Sequence, residues 1–268
     1  MKNLKVGIIG CGNMGTAVIK AVFSAGGGSA FGGGSRFSVF AYDVDRKKTK
    51  GILKKYKIRV ASNSTDLVKR CDIIILAVKP KDIERVLRGV KGNLNVSKIL
   101  ISIAAGISTE FIEGKIGRKI SVIRVMPNMP ALIQSGISAI CKGRFATNRD
   151  LAVAQGLFKN IGEVIVVKEN LMDAITVISG SGPAYFFYLV EVLVKAALEL
   201  GIEKRIAKKL VVETALGSAK VLKLTDETPW GLRAKVTSKG GTTEAAFKEF
   251  FKSDLEGILK KGIRKAFY

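Results

Sequence analysis

Three glycines in a fixed pattern near the start of the chain constrain its fold more than any other feature. Gly10, Gly12 and Gly15 form a G-x-G-x-x-G run that follows the apolar segment Lys5–Ile9 and opens a helical stretch. In a dinucleotide-binding βαβ unit, the first glycine permits a tight turn, the second lets the backbone approach a pyrophosphate, and the third lets helix and strand pack closely. This context favours a cofactor-binding turn over an ordinary glycine turn. The contacts predicted here are Gly10, Cys11, Gly12, Asn13, Met14 and Gly15.

Short β-branched segments alternate with helical segments in the first part of the chain, and this order predicts a parallel sheet with helices on both faces. From Leu171 onward, apolar residues recur at helical spacing. We therefore predict an α/β protein with an N-terminal dinucleotide-binding Rossmann domain, containing a parallel-rich sheet, over residues 1–167. An all-helical substrate and dimerisation domain is predicted over residues 168–268. The predicted strands are Lys5–Ile9, Ser38–Tyr42, Asp72–Val78, Ile99–Ile103, Ser121–Val125, Gly136–Ile140 and Glu163–Val167.

The second domain is predicted to contain long helices with apolar faces, at Gly182–Leu200, Lys204–Leu224, Thr242–Phe250 and Asp254–Phe267. These faces are extensive for a domain of about 100 residues, which predicts a homodimer or a higher multiple of dimers. The most apolar segment, Ala184–Leu200, is interrupted by charged residues, so we expect a buried helix and no membrane contact. The N-terminus lacks the pattern of a signal peptide, which predicts a cytoplasmic protein.

Composition excludes several kinds of active site. The chain has no histidine, so neither a Ser-His nor a Cys-His dyad is possible. Its cysteines, Cys11, Cys71 and Cys141, are widely spaced without a CxxC pair, which argues against a disulfide framework and against a metal site. The net charge of +23 raises the question of nucleic-acid binding. Because the basic residues are scattered without a recognised binding motif, no nucleic-acid partner is expected.

The end of the second predicted strand offers residues for either nicotinamide dinucleotide. Asp43 would hold the ribose hydroxyls of NAD, whereas Arg46 and Lys47 could pair with the 2′-phosphate of NADP. The sequence leaves this choice open, with NADP as the first expectation and NAD possible. Later strand ends consist of small or turn-forming residues, and parallel sheets bind ligands outside such ends. They add the predicted cofactor contacts Ala77, Val78, Lys79, Pro80, Ala104, Ala105 and Asn128.

Runs of small and hydroxyl residues precede helices in the second domain. Residues 179–185 read SGSGPAY, and residues 236–243 read VTSKGGTT. At a helix N-terminus such residues expose N–H groups and hydroxyls that suit a carboxylate. Plain helix capping is the alternative interpretation, because serine and threonine are favoured there in any case.

These runs occur together with AVKP at residues 77–80, SIAAG at 102–106, MPN at 126–128 and LMDA at 171–174. In this order and spacing, over essentially its whole length, the chain resembles the pyrroline-5-carboxylate reductase family. The resemblance implies a Rossmann domain, an interlocked helical dimer, and hydride transfer from NAD(P)H to the imine of 1-pyrroline-5-carboxylate, which gives L-proline in the final step of proline biosynthesis. The partner implied is therefore a small cyclic imine carboxylate.

The resemblance also implies site residues in the second domain. The substrate carboxylate would be bound by Ser238, Gly240, Gly241 and Thr242, and the hydroxyl of Thr243 would lie near the ring nitrogen as the catalytic group. We add Ser181, from the SGSGPAY run, as a further expected substrate contact.

The chain departs from the family pattern at a few positions. Lys239 stands where proline is usual, Met129 where threonine is commoner, and Glu213 where glutamine is common, and the glycine-rich residues 26–35 predict a flexible loop. None of these removes a group that the chemistry requires. The alternatives are a related reductase of hydroxy acids or imines, with Lys195 as its candidate for proton transfer, and a non-catalytic dinucleotide- or nucleic-acid-binding protein.

Overall fold

The computed structural model describes residues 4–25, 37–54, 56 and 58–267. The chain divides into two compact units, Met1–Ser181 and Gly182–Tyr268. The domain boundary expected between residues 167 and 168 stays a prediction, and the division by compactness falls after Ser181. The expected loop at residues 26–35 lies outside the described residues.

The first unit is built around an eight-stranded sheet in the order β3-β2-β1-β4-β5-β6-β7-β8. Neighbouring strands are parallel except for β6 and β7, which are antiparallel. The strands are β1 Leu4–Ile9, β2 Phe37–Tyr42, β3 Arg59–Val60, β4 Ile73–Leu76, β5 Ile99–Ser102, β6 Ser121–Pro127, β7 Gly136–Lys142 and β8 Gly162–Val166.

The predicted α/β fold with a parallel-rich sheet is confirmed. Each strand predicted from the sequence is present, with ends that differ by one or two residues. The sequence does not predict β3, because its two residues are exposed and form no apolar pattern.

Both faces of the sheet are covered by apolar side chains. In β4, Ile73 and Ile75 join one buried cluster, whereas Ile74 and Leu76 join the other. Successive side chains of a strand point to opposite faces. A continuous apolar strand therefore needs helices on both sides, as parallel sheets have.

The helices of the first unit begin where the sequence supplies caps. Asp45 accepts a hydrogen bond from the Lys47 N–H at the start of α2, and Thr147 and Asp150 form a capping box at the start of α6. The last helix, α7, continues into a π-helical turn at Thr176–Gly180. The helices are α1 Asn13–Ala25, α2 Arg46–Leu53, α3 Ser64–Arg70, α4 Pro80–Val90, α5 Thr109–Ile116, α6 Asn148–Phe158 and α7 Met172–Ile175.

The second unit is helical, as predicted. Its helices are α8 Gly182–Glu199, α9 Lys204–Leu224, α10 Pro229–Lys235, α11 Thr242–Lys252 and α12 Leu255–Phe267. The sequence does not predict α10, which is only two turns long and starts with a proline after the cap Thr228.

Large apolar side chains of these helices are exposed in the single chain. Phe186 is 71% exposed, Trp230 is 70% exposed and Leu224 is 80% exposed. Exposed apolar surface on this scale is typical of an interaction surface. By length and composition alone, the continuous helical segment Glu169–Glu199 could also cross a membrane, and 11% of its most apolar part is buried.

Candidate active site and cofactor crevice

A cavity of about 420 Å³, the cofactor crevice, opens at the carboxyl ends of β1, β2 and β4. Strands β1 to β3 follow one another toward one edge of the sheet, and β4 to β8 follow one another toward the other edge, so the strand order reverses between β1 and β4. Open parallel sheets bind ligands at such a switch point. The cavity brings together six of the predicted cofactor contacts, namely Gly10, Gly12, Asp43, Ala77, Val78 and Lys79. The predicted contacts that lie in the described chain but not in this lining are Cys11, Asn13, Met14, Gly15, Arg46, Pro80, Ala104, Ala105 and Asn128.

The three glycines have different physical roles. Gly10 has φ 102°, and a Cβ there would lie 2.5 Å from the carbonyl oxygen of Ala77. A Cβ on Gly15 would lie 2.1 Å from the carbonyl oxygen of Gly10. In contrast, a Cβ on Gly12 would meet no atom within 4 Å. Gly10 and Gly15 are therefore required by the backbone packing, whereas open space surrounds Gly12 at the start of α1, and a turn with this geometry fits the pyrophosphate of a dinucleotide.

Asp43 connects the glycine turn to the end of β2. Its Oδ2 accepts a 2.7 Å hydrogen bond from the Cys11 N–H, and its Oδ1 accepts a 2.8 Å bond from the Asp45 N–H. The residue is only 9% exposed. The carboxylate predicted to meet the ribose thus has both oxygens engaged by the backbone.

The basic residues at the start of α2 differ in where they lie. Thr49 and Ile52 form the buried face of the helix, and Lys48 lines the crevice beside that face. All three basic residues are exposed, but Arg46 and Lys47, the cations predicted from the sequence, do not line the cavity. The helical spacing of Lys48 from Thr49 and Ile52 is the signal that could have identified it.

The residues that follow β4 and β5 also have local structural roles. Lys79 is the cap of α4, and Pro80 occupies its first turn, where a missing N–H costs little. At the end of β5, the Ala104 N–H donates to the Ser102 hydroxyl at 3.3 Å, and both residues are buried. Ala105 is half-buried.

Asn128, directly after β6, forms hydrogen bonds to two other segments of the first unit. Its Oδ1 accepts a 3.0 Å bond from the Ile137 N–H, and its Nδ2 donates to the hydroxyl of Ser179, 3.5 Å away in the π-helical turn. That turn closes where the Ser181 N–H donates to the Thr176 carbonyl at 2.9 Å. Single π turns within helices are frequent at functional sites, and here one positions Ser181.

A buried arginine that the sequence analysis does not single out holds the LMDA segment in place. Arg124 in β6 is 3% exposed, and its Nη2 lies 2.6 Å from Oδ1 of Asp173. Its Nη1 lies 3.5 Å from Oε1 of Glu169, which also accepts a 2.7 Å bond from the Thr109 N–H. A lone arginine within an apolar strand was the available signal.

In the second unit, the predicted substrate residues form one tight turn at the start of α11. The Gly241 N–H donates to the Ser238 carbonyl at 3.0 Å, and Gly240 has φ 76°. The positive φ favours glycine at position 240, whereas Gly241 has an extended backbone, and a Cβ there would crowd the rotatable Ser238 hydroxyl at 2.5 Å. Thr242 and Thr243 begin the helix, where backbone N–H groups have no intrahelical acceptor.

Glu244 adds a negative charge to this turn. Its Oε2 accepts a 2.9 Å bond from the Gly240 N–H and lies 3.4 Å from Nζ of Lys248. The Gly240 hydrogen bond, followed by the contact with Lys248, holds the pKa of this carboxyl below its usual range. Two N–H groups expected to face a substrate carboxylate, those of Gly240 and Gly241, therefore have acceptors within the turn itself.

The cysteines are buried thiols. Burial is the largest effect on each and raises the pKa of Cys11, Cys71 and Cys141 to about 12. A thiol with such a pKa is not a nucleophile near neutral pH. Cys11 therefore contributes its backbone N–H, not its sulfur, to the glycine turn.

Two known protein-family models match this chain, one in each part of the sequence. A family model described as pyrroline-5-carboxylate reductase dimerisation matches residues 169–268, and one described as NADP oxidoreductase, coenzyme F420-dependent, matches residues 5–106. Pyrroline-5-carboxylate reductase of Methanosarcina acetivorans is 36% identical over 267 residues, which cover 100% of this chain and 94% of that protein. The chain belongs to the pyrroline-5-carboxylate reductase family.

Solved structures of this reductase family have the same fold over the whole chain. Pyrroline carboxylate reductase of Plasmodium falciparum with NADP bound matches with a TM-score of 0.87 and 29% identity, covering 100% of this chain and 97% of that one. The reductase of Coxiella burnetii matches with a TM-score of 0.87 and 29% identity, covering 99% and 97%. The comparisons support NADP as the cofactor, with NAD also possible.

The alternative of a hydroxy-acid reductase corresponds to a weaker similarity. A 3-hydroxyisobutyrate dehydrogenase of Mycobacterium tuberculosis matches with a TM-score of 0.57 and 14% identity, covering 75% of this chain and 67% of that one. At this identity only the fold is shared. Its candidate residue, Lys195, is paired with Glu191 at 2.7 Å on the surface of α8, which is an ordinary helix ion pair.

Proposed function

We propose that this chain is an NAD(P)H-dependent oxidoreductase that reduces the imine of 1-pyrroline-5-carboxylate to L-proline, the last step of proline biosynthesis. The observation that carries the proposal is the relative from Methanosarcina acetivorans, 36% identical over 100% of this chain. The crevice supports the cofactor half of the proposal, because its open backbone at Gly12 suits a pyrophosphate.

The turn at the start of α11 is proposed as the carboxylate site. The Ser238 hydroxyl and the first-turn N–H groups of Thr242 and Thr243 are donors at the positive end of a helix dipole. Ser238 and Thr242 are exposed and therefore accessible to a ligand. Gly240 and Gly241 shape the turn, and the N–H of Gly240 becomes available when Glu244 turns away. Ser181 is proposed as a further substrate contact.

Thr243 is proposed as the catalytic residue. Reduced nicotinamide, when bound, supplies a hydride to the imine carbon, and the ring nitrogen needs one proton for the product amine. The Thr243 hydroxyl can donate a hydrogen bond to that nitrogen and hold the imine in a fixed orientation. A threonine hydroxyl is too weak an acid to lose its proton permanently, so the net proton comes from water or from a carboxylic acid. No histidine is needed, because the cofactor performs the difficult chemistry.

The crevice residues are proposed to orient the cofactor. Gly10, Cys11, Gly12 and Gly15 would shape the turn that receives the pyrophosphate, and the N–H groups of residues 12–14 at the start of α1 would donate to it. The remaining predicted contacts, at Asp43, Arg46, residues 77–80, Ala104, Ala105 and Asn128, extend from this turn across the following strand ends. Of these, Asp43 and Asn128 act through their bonds to the protein backbone and to Ser179.

A homodimer, or a multiple of dimers, is proposed as the working form. The dimerisation model matched over residues 169–268 and the exposed apolar side chains of α8 and α9 support it. Burial in a dimer also explains the apolar character of residues 169–199 without a membrane. A cytoplasmic location and the lack of a nucleic-acid partner stay predictions.

The decisive experiment follows the loss of NADPH and NADH absorbance with purified protein and 1-pyrroline-5-carboxylate, with proline identified as the product. Turnover that yields proline is expected. A 3-hydroxy acid tested with the oxidised cofactors serves as the competing substrate. Turnover of the hydroxy acid alone would assign the chain to the related dehydrogenases, and cofactor binding without any turnover would indicate a non-catalytic protein.

A further inference from the structure

The crevice contains a cation that the glycine motif does not explain. Lys48, from α2, lines it beside Asp43 and Val44 at the end of β2. We infer that Lys48 binds the 2′-phosphate of NADP and gives the protein its preference for NADP over NAD. The inference rests on the proposed function, because it concerns the cofactor of the same site.

Asp43 is partly occupied by the protein's own backbone. An acid at this position normally accepts hydrogen bonds from the ribose hydroxyls. In this chain each carboxylate oxygen already accepts a backbone N–H, from Cys11 at 2.7 Å and from Asp45 at 2.8 Å. These bonds stabilise and partly satisfy its negative charge in a position that is 9% exposed. Asp43 therefore ties β2 to the glycine turn, and a phosphate bound near this carboxylate needs a cation beside it.

Lys48 is a cation available for a ligand. Asp82 and Arg85, which also line the crevice, lie 2.8 Å apart in an ion pair with each other. Within residues 4–25, 37–54, 56 and 58–267, no carboxylate lies within ion-pair distance of the Lys48 ammonium. Burial and the charge of Asp43 raise the pKa of Cys11, and the charge of Lys48 lowers it. The Lys48 ammonium therefore acts electrostatically on the glycine turn.

The geometry of α2 separates Lys48 from its basic neighbours. An α-helix turns by roughly 100° per residue. Thr49 and Ile52 face the core, so Lys48 flanks the buried face, whereas Lys47 lies roughly opposite it. Lys47 is exposed and does not line the crevice. It is a matched control, because Lys47→Ala removes the same charge from the same helix.

The test measures binding of NADP⁺ and NAD⁺ by calorimetry, on the wild-type protein and on Lys48→Ala, Lys48→Arg and Lys47→Ala. An ammonium–phosphate bond lost at a partly exposed site is expected to raise the Kd for NADP⁺ about tenfold in Lys48→Ala. The Kd for NAD⁺, which has no 2′-phosphate, should stay within about twofold, since only the phosphate contact is lost. Lys48→Arg should restore most of the preference, and Lys47→Ala should resemble the wild type.

Three results would overturn the inference. They are an unchanged NADP⁺ to NAD⁺ ratio in Lys48→Ala, an equal loss in Lys47→Ala, which would indicate only the general positive field, and a wild-type protein that prefers NAD⁺. Reduction of 1-pyrroline-5-carboxylate by the wild type is assayed separately. The proposed function can therefore stand while the role of Lys48 fails, and the binding result stands if the substrate proves to be a different imine.

Discussion

The backbone N–H of Gly240 donates a 2.9 Å hydrogen bond to Oε2 of Glu244, four residues further along the chain. The turn proposed to receive the substrate carboxylate thus already holds a carboxylate of the protein. Glu244 ties Gly240 to the first turn of α11, and it also occupies a donor and places a negative charge where a negative ligand is proposed to bind.

Replacement of Glu244 by glutamine separates these two effects. Glu244→Gln keeps an oxygen that can accept the Gly240 N–H but removes the negative charge. Like charges about 6 Å apart in water repel enough to change binding roughly threefold, so the KM for 1-pyrroline-5-carboxylate should fall about threefold with kcat unchanged. Steady-state kinetics at fixed ionic strength measure this.

The pKa of Glu244 sets the pH window for this effect. Because the Gly240 N–H and Lys248 hold that pKa below the usual range, the group stays charged at all pH values above that range. The KM advantage of Glu244→Gln over the wild type should therefore be constant from about pH 6 to pH 9, and it should shrink only in acid, where Glu244 itself is protonated. A KM that rises in Glu244→Gln would contradict charge repulsion and assign the residue a purely structural role.

The glycine turn provides a second prediction. A Cβ on Gly12 meets no atom within 4 Å, whereas one on Gly10 would lie 2.5 Å from the Ala77 carbonyl at φ 102°. Gly12→Ala should therefore fold normally, with Tm within about 2 °C, yet bind NADPH at least about tenfold more weakly because the methyl group fills the pyrophosphate path. Gly10→Ala should lower Tm clearly.

Thermal unfolding and NADPH fluorescence titration together distinguish the two variants. If Gly12→Ala binds NADPH like the wild type, the pyrophosphate does not approach this turn. If Gly10→Ala keeps its Tm, the positive φ at residue 10 is not required for packing.

The predictions from sequence succeed where a residue acts through local geometry. The packing roles of Gly10 and Gly15 follow from the sequence, because turn conformation and close approach depend on the residue itself and its neighbours, whereas the contact of Gly12 with a pyrophosphate stays a prediction. Pro80 is in the first turn of α4 and α9 spans Lys204–Leu224, both as expected, because proline placement and helical periodicity are local signals.

The sequence is less informative where contacts link distant segments. Nothing local indicates that Asp43 is bonded to Cys11, or that Arg124 meets Asp173 49 residues away. The choice among Arg46, Lys47 and Lys48 depends on which side of a helix faces the sheet, and only the buried positions of the packed helix determine that. The sequence does not predict the hydrogen bond between the Glu244 carboxylate and Gly240, because side chains of the protein and bound ligands use the same backbone N–H donors at a helix start.

Thr243 and Ser238 are expected to affect different kinetic constants. Thr243→Val keeps the shape of the side chain but removes the hydrogen bond to the ring nitrogen, so kcat should fall about tenfold or more. Ser238→Ala removes a donor to the carboxylate, which is bound equally before and during the reaction, so it should chiefly raise KM.

A matched control for Thr243 is Thr225→Val. The Thr225 hydroxyl bonds to the carbonyl of Val221 at the end of α9, away from the proposed turn in sequence, and its loss should leave kcat unchanged. Unchanged kinetics in both Thr243→Val and Ser238→Ala would show that the substrate does not bind at this turn.

The thiols of the native protein should be unreactive. Burial raises the pKa of each cysteine to about 12, and thiolate is the reactive form. With Ellman's reagent at pH 8, we expect no fast-reacting thiol in the folded protein and three after unfolding in guanidinium. Cys11→Ala should retain turnover, because only its backbone N–H is used. Rapid labelling of one thiol with loss of activity would show that a cysteine is open to solvent in the working enzyme.

Removal of Arg124 is expected to destabilise the first unit. It is 3% exposed and contacts two carboxylates, Asp173 at 2.6 Å and Glu169 at 3.5 Å. Removal of Arg124 leaves the partly buried carboxylate of Glu169 without its cation and empties a buried volume, so Arg124→Ala should lower the free energy of unfolding by about 2–3 kcal/mol. Asp173 is 64% exposed on its side chain, and Asp173→Asn should cost no more than about 1 kcal/mol because water can replace it.

The charge of Glu169, which is left without its cation in Arg124→Ala, distinguishes an electrostatic role of the arginine from a packing role. Glu169 also accepts hydrogen bonds from the Thr109 N–H and hydroxyl, so it stays in place when the arginine is removed. Adding Glu169→Gln to Arg124→Ala removes that unpaired charge and should recover part of the lost stability, with a coupling free energy of about 1–2 kcal/mol. Urea unfolding followed by circular dichroism measures the wild type, Arg124→Ala, Glu169→Gln and the double variant, at one protein concentration because the protein is proposed to be a dimer. Strictly additive losses of stability would show that the Arg124 side chain acts only by filling buried space beside its own strand, β6.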